Sequence, residues 1–208
     1  MPASVITVAQ QKGGAGKTTL AASLAAAWAA SKRVAVIDID PQQSLTRWHE
    51  LRAARKGVAP ITLAKIAGWR LAGELDKLRR AHDIILIDSP PQIDTDARQA
   101  VRHADLVLVP IQPSPPDLWA AEGTFALAKA EKRPLAIVLN RAPAAGKLRA
   151  QVEAAIGKLG LPLLPTVMGN RTGFAAAFAQ GLGVTEVTKS RAAEELRSLL
   201  ADIEGMLP

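Results

Sequence analysis

The chain has 208 residues, which is enough for a sizeable core and too few for a comfortable second domain, so we expect one domain over residues 1–208. The absence of cysteine excludes disulfides and thiolate-held metal or iron–sulfur centres. A net charge of +7 favours polyanionic partners such as nucleic acid. No uncharged apolar stretch is long enough to span a membrane and no signal peptide opens the chain, so we expect a protein of the cytoplasm.

The first motif is a glycine-rich loop that follows an apolar run over residues 5–8 and opens an Ala- and Leu-rich helical stretch. Its glycines, Gly13, Gly14 and Gly16, allow tight turns with positive φ and a close approach of the backbone to an anion. Lys17 is then placed to reach the β and γ phosphates, and the Thr18 hydroxyl to bind Mg²⁺. The pattern therefore predicts a site for a nucleoside triphosphate.

One departure from the common phosphate-loop pattern is informative. Gln11 stands where the strict pattern has glycine, and Lys12 comes directly before the paired glycines. In this the stretch resembles the deviant Walker A loop of the ParA/MinD family of dimeric ATPases. The resemblance implies ATP and Mg²⁺ as cofactors, and a homodimer in which Lys12 of each copy reaches the phosphates of the other; a lysine that steers phosphate only within its own subunit is the alternative. The implied nucleotide-binding residues of the loop are Lys12, Gly13, Gly14, Ala15, Gly16, Lys17, Thr18 and Thr19.

Apolar, β-branched runs alternate with stretches of helical spacing along the chain. Strands are predicted over residues 5–8, 34–39, 61–66, 84–87, 106–111, 135–139 and 161–167. Helices are predicted over residues 17–30, 45–55, 71–81, 118–130 and 148–159. Uninterrupted apolar strands alternating with helices indicate an α/β protein, doubly wound, with a mostly parallel sheet covered by helices on both faces. In such folds the ligand lies at the carboxyl ends of the strands.

Two aspartates, Asp38 and Asp40, end the second predicted strand, and Pro41 turns the chain out of regular structure. From the residues alone, a catalytic role and a loop-orienting role are equally open. The stretch resembles the family's Asp-x-Asp-Pro-Gln segment, in which the second aspartate orients the attacking water. The resemblance assigns that catalytic role to Asp40, together with a water-mediated contact to Mg²⁺.

Asp88 ends the fourth predicted strand, where an aspartate can hold Mg²⁺ through a bound water. A strand-ending aspartate alone is more often a turn residue, but Ser89-Pro90-Pro91 resembles the family's segment that senses the γ-phosphate.

Further along, Pro115 or Pro116 marks the start of a helix. Asn140 ends the sixth predicted strand, where the resemblance suggests that its amide reads the adenine edge, although asparagine is also a common turn former.

The C-terminal half carries weaker signals. Basic residues outside the nucleotide motifs are the candidates for DNA contact: Arg141, Lys147, Arg149 and Arg171. Apolar spacing over residues 189–207 predicts a helix with a slightly acidic balance, which favours packing over binding to anionic lipid. The first strand begins too early for an N-terminal helix-turn-helix, so the chain resembles the short ParA proteins, whose members bind DNA without sequence preference.

The resemblance therefore predicts a slow ATPase, stimulated by a ParB-like or other small adaptor, that dimerises on ATP, binds nonspecific DNA and drives plasmid or chromosome partition or positions a cargo at the nucleoid. No membrane contact is expected. A membrane-cycling ATPase of the MinD type and an ATP-using metabolic enzyme on the same fold are the alternatives.

Overall fold

The computed structural model describes residues 3–66, 68–92, 94–187 and 189–207. Six parallel strands form one sheet in the order β3-β2-β4-β1-β5-β6. Their bounds are β1 Ser4–Val8, β2 Val34–Asp38, β3 Thr62–Lys65, β4 Ile84–Asp88, β5 Leu106–Ile111 and β6 Leu135–Leu139. The expected doubly wound α/β class is confirmed, with every strand pair parallel.

The seventh predicted strand, over residues 161–167, is wrong. The segment makes an isolated parallel bridge between Leu163 and Ile137 and continues as irregular chain. Pro162 and Pro165 lack the N–H groups that a continuous ladder needs, although the Pro162 carbonyl still accepts from the Ile137 amide at 2.8 Å.

Nine α-helices connect or cover the strands within the described residues. Their bounds are α1 Lys17–Ala29, α2 Ser44–Ala53, α3 Leu71–Ala81, α4 Thr95–Arg102, α5 Pro115–Ala130, α6 Lys147–Lys158, α7 Thr172–Phe178, α8 Val184–Val187 and α9 Arg191–Glu204. The five predicted in the strand-alternating pattern are confirmed to within three residues at either end. Helix α5 begins at Pro115, and the side chain of Ser114 caps it by accepting from the Asp117 amide.

The core lies in two layers because alternate strand residues face opposite sides of the sheet. On one side, residues such as Ile6, Val36 and Leu108 pack with α1, α2 and α9. On the other, residues such as Val5 and Val109 pack with α3, α5 and α6. Five residues of α9 are buried: Ala192, Ala193, Leu196, Leu199 and Ile203. The predicted C-terminal packing helix is thus confirmed, and no helix in the described part of the chain has the length and apolarity to cross a bilayer.

Candidate functional site

The glycine-rich loop leaves β1 at the carboxyl edge of the sheet and leads into α1. Gly14 and Gly16 have φ of 79° and 90°, values that residues with a Cβ rarely adopt. A Cβ on Gly16 would also stand 2.5 Å from the Asn140 amide nitrogen. The loop needs glycine at position 16 for its conformation and for the close approach of Asn140.

Two buried charges lie beside the loop. Lys17 is only 7% exposed, and burial lowers its pKa while the carboxylates of Asp88 and Asp40 oppose that shift. Asp88 is fully buried, and burial raises its pKa to about 7, against the opposing influence of Thr18 and Lys17. The register of the sheet sets Asp88 opposite Val8, directly before the loop.

The Asp88 carboxylate is the strongest sign that this site takes a cation. Neither of its oxygens has a hydrogen bond of good geometry within the described residues. The part of the chain that the structure describes has no group of three or more His, Cys, Asp or Glu side chains that could hold a metal unaided. Mg²⁺ in phosphate sites uses few protein ligands and completes its shell with phosphate oxygens and water. The Thr18 hydroxyl and the unpaired Asp88 carboxylate fit that requirement.

Asp38 and Asp40 are only two residues apart, but they have different surroundings and different roles. Asp38 is buried, and its carboxylate accepts from the Asp40 amide at 3.1 Å and from the amide and hydroxyl of Thr46 at 2.8 and 2.7 Å. It therefore fixes the loop between β2 and α2. Asp40 is partly exposed and faces a cavity of about 260 Å³ that Lys17 and Thr18 also line. Asp40 is the carboxylate of the pair that can meet a ligand.

Lys12 lies at the rim of the loop and is held by its own chain. Its ammonium is 2.6 Å from the Asp117 carboxylate, in the first turn of α5. The Lys12 side chain is 42% exposed, whereas that of Asp117 is 3% exposed and also accepts from the Ser114 hydroxyl. The ammonium is thus paired and still within reach of solvent.

A second cavity of about 260 Å³ adjoins the loop on the side of β6 and α7. Asn140 lines it and donates to the Ala15 carbonyl at 2.8 Å, so the amide oxygen is the group left to meet a ligand. Phe174 and Met168 add apolar surface to the same cavity. A flat, partly polar group such as a purine suits this lining.

Three of the four candidate DNA contacts are engaged within the chain. Arg141 donates to the Gly14 carbonyl at 3.0 Å, and Arg149 to Glu153 and the Ala144 carbonyl, both at 2.8 Å. Arg171 makes a bidentate pair with Glu195. Lys147, exposed at the start of α6, makes no ion pair with any described residue. Arg141 lines both cavities beside the glycine-rich loop.

Several residues of this edge escaped the sequence analysis. Gln112 donates to the Gly14 carbonyl at 3.2 Å, and Phe178 lines the loop cavity together with Asp40. Asp117 could have been noticed as an acidic residue directly after a Ser-Pro-Pro helix start, but its pairing with a lysine 105 positions away has no local signal.

Comparison with known proteins gives consistent matches. A model of the CobQ/CobB/MinD/ParA nucleotide binding domain matches residues 6–184. The maintenance of carboxysome distribution protein A of Halothiobacillus neapolitanus is 28% identical over 209 residues, covering 97% of this chain and 96% of the relative. The chromosome-partitioning ATPase Soj of Thermus thermophilus is 34% identical over 149 residues, which cover 59% of each chain.

A solved structure also matches nearly the whole chain. The crystal structure of a plasmid partition protein from Borrelia burgdorferi, bound to AMPPNP, superposes with a TM-score of 0.82 and covers 99% of this chain and 100% of the other. Its sequence identity is 18%, so this match bears on the fold alone.

Proposed function

The chain belongs to the CobQ/CobB/MinD/ParA nucleotide binding domain family, and we propose that it is an ATP-driven switch of the ParA type that positions a cargo along DNA. The observation that carries the proposal is the unpaired, buried Asp88 carboxylate beside the glycine-rich loop, together with the buried Lys17 and with Lys12 at the rim of the loop. A buried carboxylate without a partner lowers stability unless a ligand compensates it. Nucleotide with Mg²⁺ is the ligand whose charges would do so.

The nucleotide would lie along the two adjoining cavities. Lys17 and the loop amides hold the phosphates, and Thr18 and Asp88 hold Mg²⁺, Asp88 through water. Mg²⁺, when bound, neutralises charge on the phosphate oxygens. The base enters the cavity lined by Asn140 and Phe174. Asn140 then offers its free amide oxygen to the base while its nitrogen stays on Ala15.

Asp40 would orient the attacking water. Its carboxylate already accepts from the Gln42 amide at 2.9 Å, which holds the group at the loop cavity, and Asp38 fixes the backbone on which Asp40 lies. Two arginines line the cavities within the described residues, and both are engaged in the chain: Arg141 is held on the loop by its bond to Gly14, and Arg171, in the cavity proposed for the base, is paired with Glu195. Slow hydrolysis that an adaptor accelerates is consistent with this arrangement.

Lys12 would link nucleotide to dimerisation. To reach the phosphates of a second copy, its ammonium must leave Asp117, and a triphosphate offers more negative charge than one carboxylate. The exchange becomes favourable only when a second nucleotide-loaded copy is present. Each copy would contribute one lysine, and loss of the γ-phosphate would release both.

The names of relatives point to the downstream role. One relative maintains carboxysome distribution and another partitions chromosomes, and the net charge of +7 suits a DNA tether. We place the DNA contact on exposed basic residues, with Lys147 the first to test. The cargo is a plasmid, a chromosome region or a protein body, joined through a small adaptor. The chain would then act on the nucleoid.

The structure gives little support to membrane cycling as the alternative. The apolar face of α9 is covered, with Leu196, Leu199 and Ile203 fully buried. An amphipathic helix that binds lipid needs that face free.

The proposal is tested by DNA binding in two nucleotide states. Fluorescence anisotropy with two unrelated duplexes should show tight, sequence-independent binding with a non-hydrolysable ATP analogue and weak binding with ADP. The affinity should fall by about one decade per decade of salt for each phosphate contacted. Lys147→Gln should lower that slope by about one unit, and Lys17→Gln should abolish the nucleotide effect. Equal affinity in both states, or binding to anionic vesicles in place of DNA, would refute the DNA-tether role.

A further inference from the structure

An apolar groove of about 580 Å³ lies away from the nucleotide cavities. It is formed by the C-terminal half of α5, the start of β6, the segment that begins directly after α6, and Met206 after α9. Helices that connect parallel strands run back from the carboxyl edge to the amino edge of the sheet. The groove is therefore at the amino edge, opposite the phosphate loop.

Large apolar side chains line this groove. Leu159 is exposed over 54% of its surface, Leu135 and Leu161 are partly exposed, and the buried Phe125 also lines it. Contiguous apolar surface of this kind on a folded protein is often a place of contact with another molecule. The hydrophobic effect favours its removal from water by a ligand with apolar groups.

The polar groups at the groove carry an excess of positive charge. Lys129 and Arg133 line it against a single acid, Glu122. The Arg133 Nε is buried and has no hydrogen-bond partner in the described part of the chain. Arg133 also lies near His103, whose pKa is lowered first by burial and then by the positive charge of Arg133.

A donor that is shut off from water without an acceptor destabilises the free chain. An acceptor brought to the groove would relieve this if the guanidinium turned toward it. A carboxylate is the acceptor of choice for arginine, since it matches both the charge and the planar fork. The positive charge at the groove and the buried Arg133 donor therefore both favour a carboxylate on the ligand.

We propose that this groove is a docking site for a protein segment that presents apolar side chains and an acidic residue. The carboxylate pairs with Arg133 while the apolar side chains cover Leu159 and its neighbours. Because the groove is opposite the phosphate loop, it stays open when two copies meet at their nucleotide edges. A dimer would then carry two outward-facing docking sites; this last point rests on the proposed function, whereas the groove itself does not.

The test uses the full chain without nucleotide, so that its outcome is independent of the ATP switch. Three fluorescent peptides of equal length share the same leucines and differ only at their charged positions, which are all Glu, all Gln or all Lys. Anisotropy should show the Glu peptide binding roughly tenfold tighter than the Lys peptide. Arg133→Gln should remove most of the preference for Glu over Gln.

A matched pair of substitutions tests the location. Leu159→Glu, at the groove, should abolish binding of the Glu peptide. Leu148→Glu, on the opposite end of α6 with a similar exposure of 55%, should bind as the wild type does. Circular dichroism checks that both variants fold.

Four results would overturn the proposal. Equal or tighter binding of the Lys peptide would reject the acidic partner, and unchanged binding by Leu159→Glu would reject the groove. Binding of dodecanoate where no peptide binds would make the groove a site for a fatty acid. A shift of the free chain's sedimentation by Leu159→Glu would make this face an interface between copies.

Discussion

The carboxyl group of Asp88 is fully buried, and burial raises its pKa to about 7, well above the value of 3.8 for a free aspartate. The folded state therefore holds this proton more tightly than the unfolded chain does. Without ligand, the stabilisation from that proton is complete at low pH and is lost as pH rises from about 4 to about 7. Above that window Asp88 is ionised in both the folded and the unfolded state, so it no longer makes the free energy of unfolding depend on pH.

We expect Asp88→Asn to remove this part of the pH dependence and to stabilise the ligand-free chain above neutral pH. Urea denaturation of the wild type, Asp88→Asn and Asp76→Asn on either side of the window measures the effect; Asp76 is exposed on α3 and serves as the control. In the same denaturation assay, added Mg²⁺ should no longer stabilise this variant. A slope in Asp88→Asn equal to that of the wild type would remove Asp88 as the titrating group.

Gly16→Ala tests the loop at a single atom. An alanine at position 16 would have to adopt φ of 90°, and its Cβ would stand 2.5 Å from the Asn140 amide nitrogen, so the loop or the Asn140 side chain must shift. We expect ATP affinity to fall by at least about tenfold, which corresponds to about 1.4 kcal/mol. Gly73→Ala, inside α3 with no atom within 4 Å of its new Cβ, should leave affinity unchanged and add about 0.5–1 kcal/mol of stability. Calorimetric titration decides this, and wild-type affinity in Gly16→Ala would mean that the loop tolerates a side chain.

At the scale of elements, the first turn of α5 holds Lys12 through Asp117. If this pair competes with a second copy's phosphates, Asp117→Asn should strengthen ATP-dependent dimerisation by roughly threefold to tenfold, since each factor of ten is about 1.4 kcal/mol. Light scattering with an ATP analogue measures it. The effect should vanish in the Lys12→Ala background; a gain that persists there would show that Asp117 acts on something other than Lys12.

A second link between elements joins α2 to the segment around α8. The Arg52 side chain is 3% exposed, pairs with both Glu186 oxygens at 2.7 and 2.8 Å and lies over the Trp48 ring. Trp48 in turn stacks on Phe178, which lines the loop cavity. The position of α2 after the Asp40 loop is thus coupled to the C-terminal helices.

Arg52→Ala leaves Glu186 without its partner and should lower the free energy of unfolding by about 3 kcal/mol. Arg55→Ala, an exposed arginine just beyond α2, should change it by less than about 0.5 kcal/mol. Chemical denaturation compares them. Equal effects of the two substitutions would show that the buried pair adds nothing to stability.

At the scale of the whole molecule, the fold and the position of the glycine-rich loop between β1 and α1 could be predicted because their signals are local. Apolar runs located β1 to β6, and the glycine and lysine spacing located the loop. The strand predicted at residues 161–167 was wrong because the prediction followed the apolar residues and did not allow for the two prolines, which cannot donate to a strand ladder. The helix α4 was missed because only three of its eight residues are buried: Ala97, Ala100 and Val101.

The contacts across the molecule could not be read from the sequence. Lys12 with Asp117 and Arg171 with Glu195 join residues far apart in the chain, and only the folded arrangement brings them together. The sequence therefore suggested more unpaired basic side chains in the C-terminal half than the structure has. The same arrangement separates two edges of the sheet, with the glycine-rich loop and its two cavities at one and the apolar groove at the other.

The central claim is that ATP joins two copies through Lys12, and sedimentation velocity tests it most directly. The wild type should sediment as a dimer with a non-hydrolysable ATP analogue and as a monomer with ADP. Lys12→Ala should bind the analogue, because Lys17 and Thr18 are intact, and stay a monomer in both states. A wild type that stays monomeric with the analogue, or a Lys12→Ala variant that dimerises as the wild type does, would contradict it.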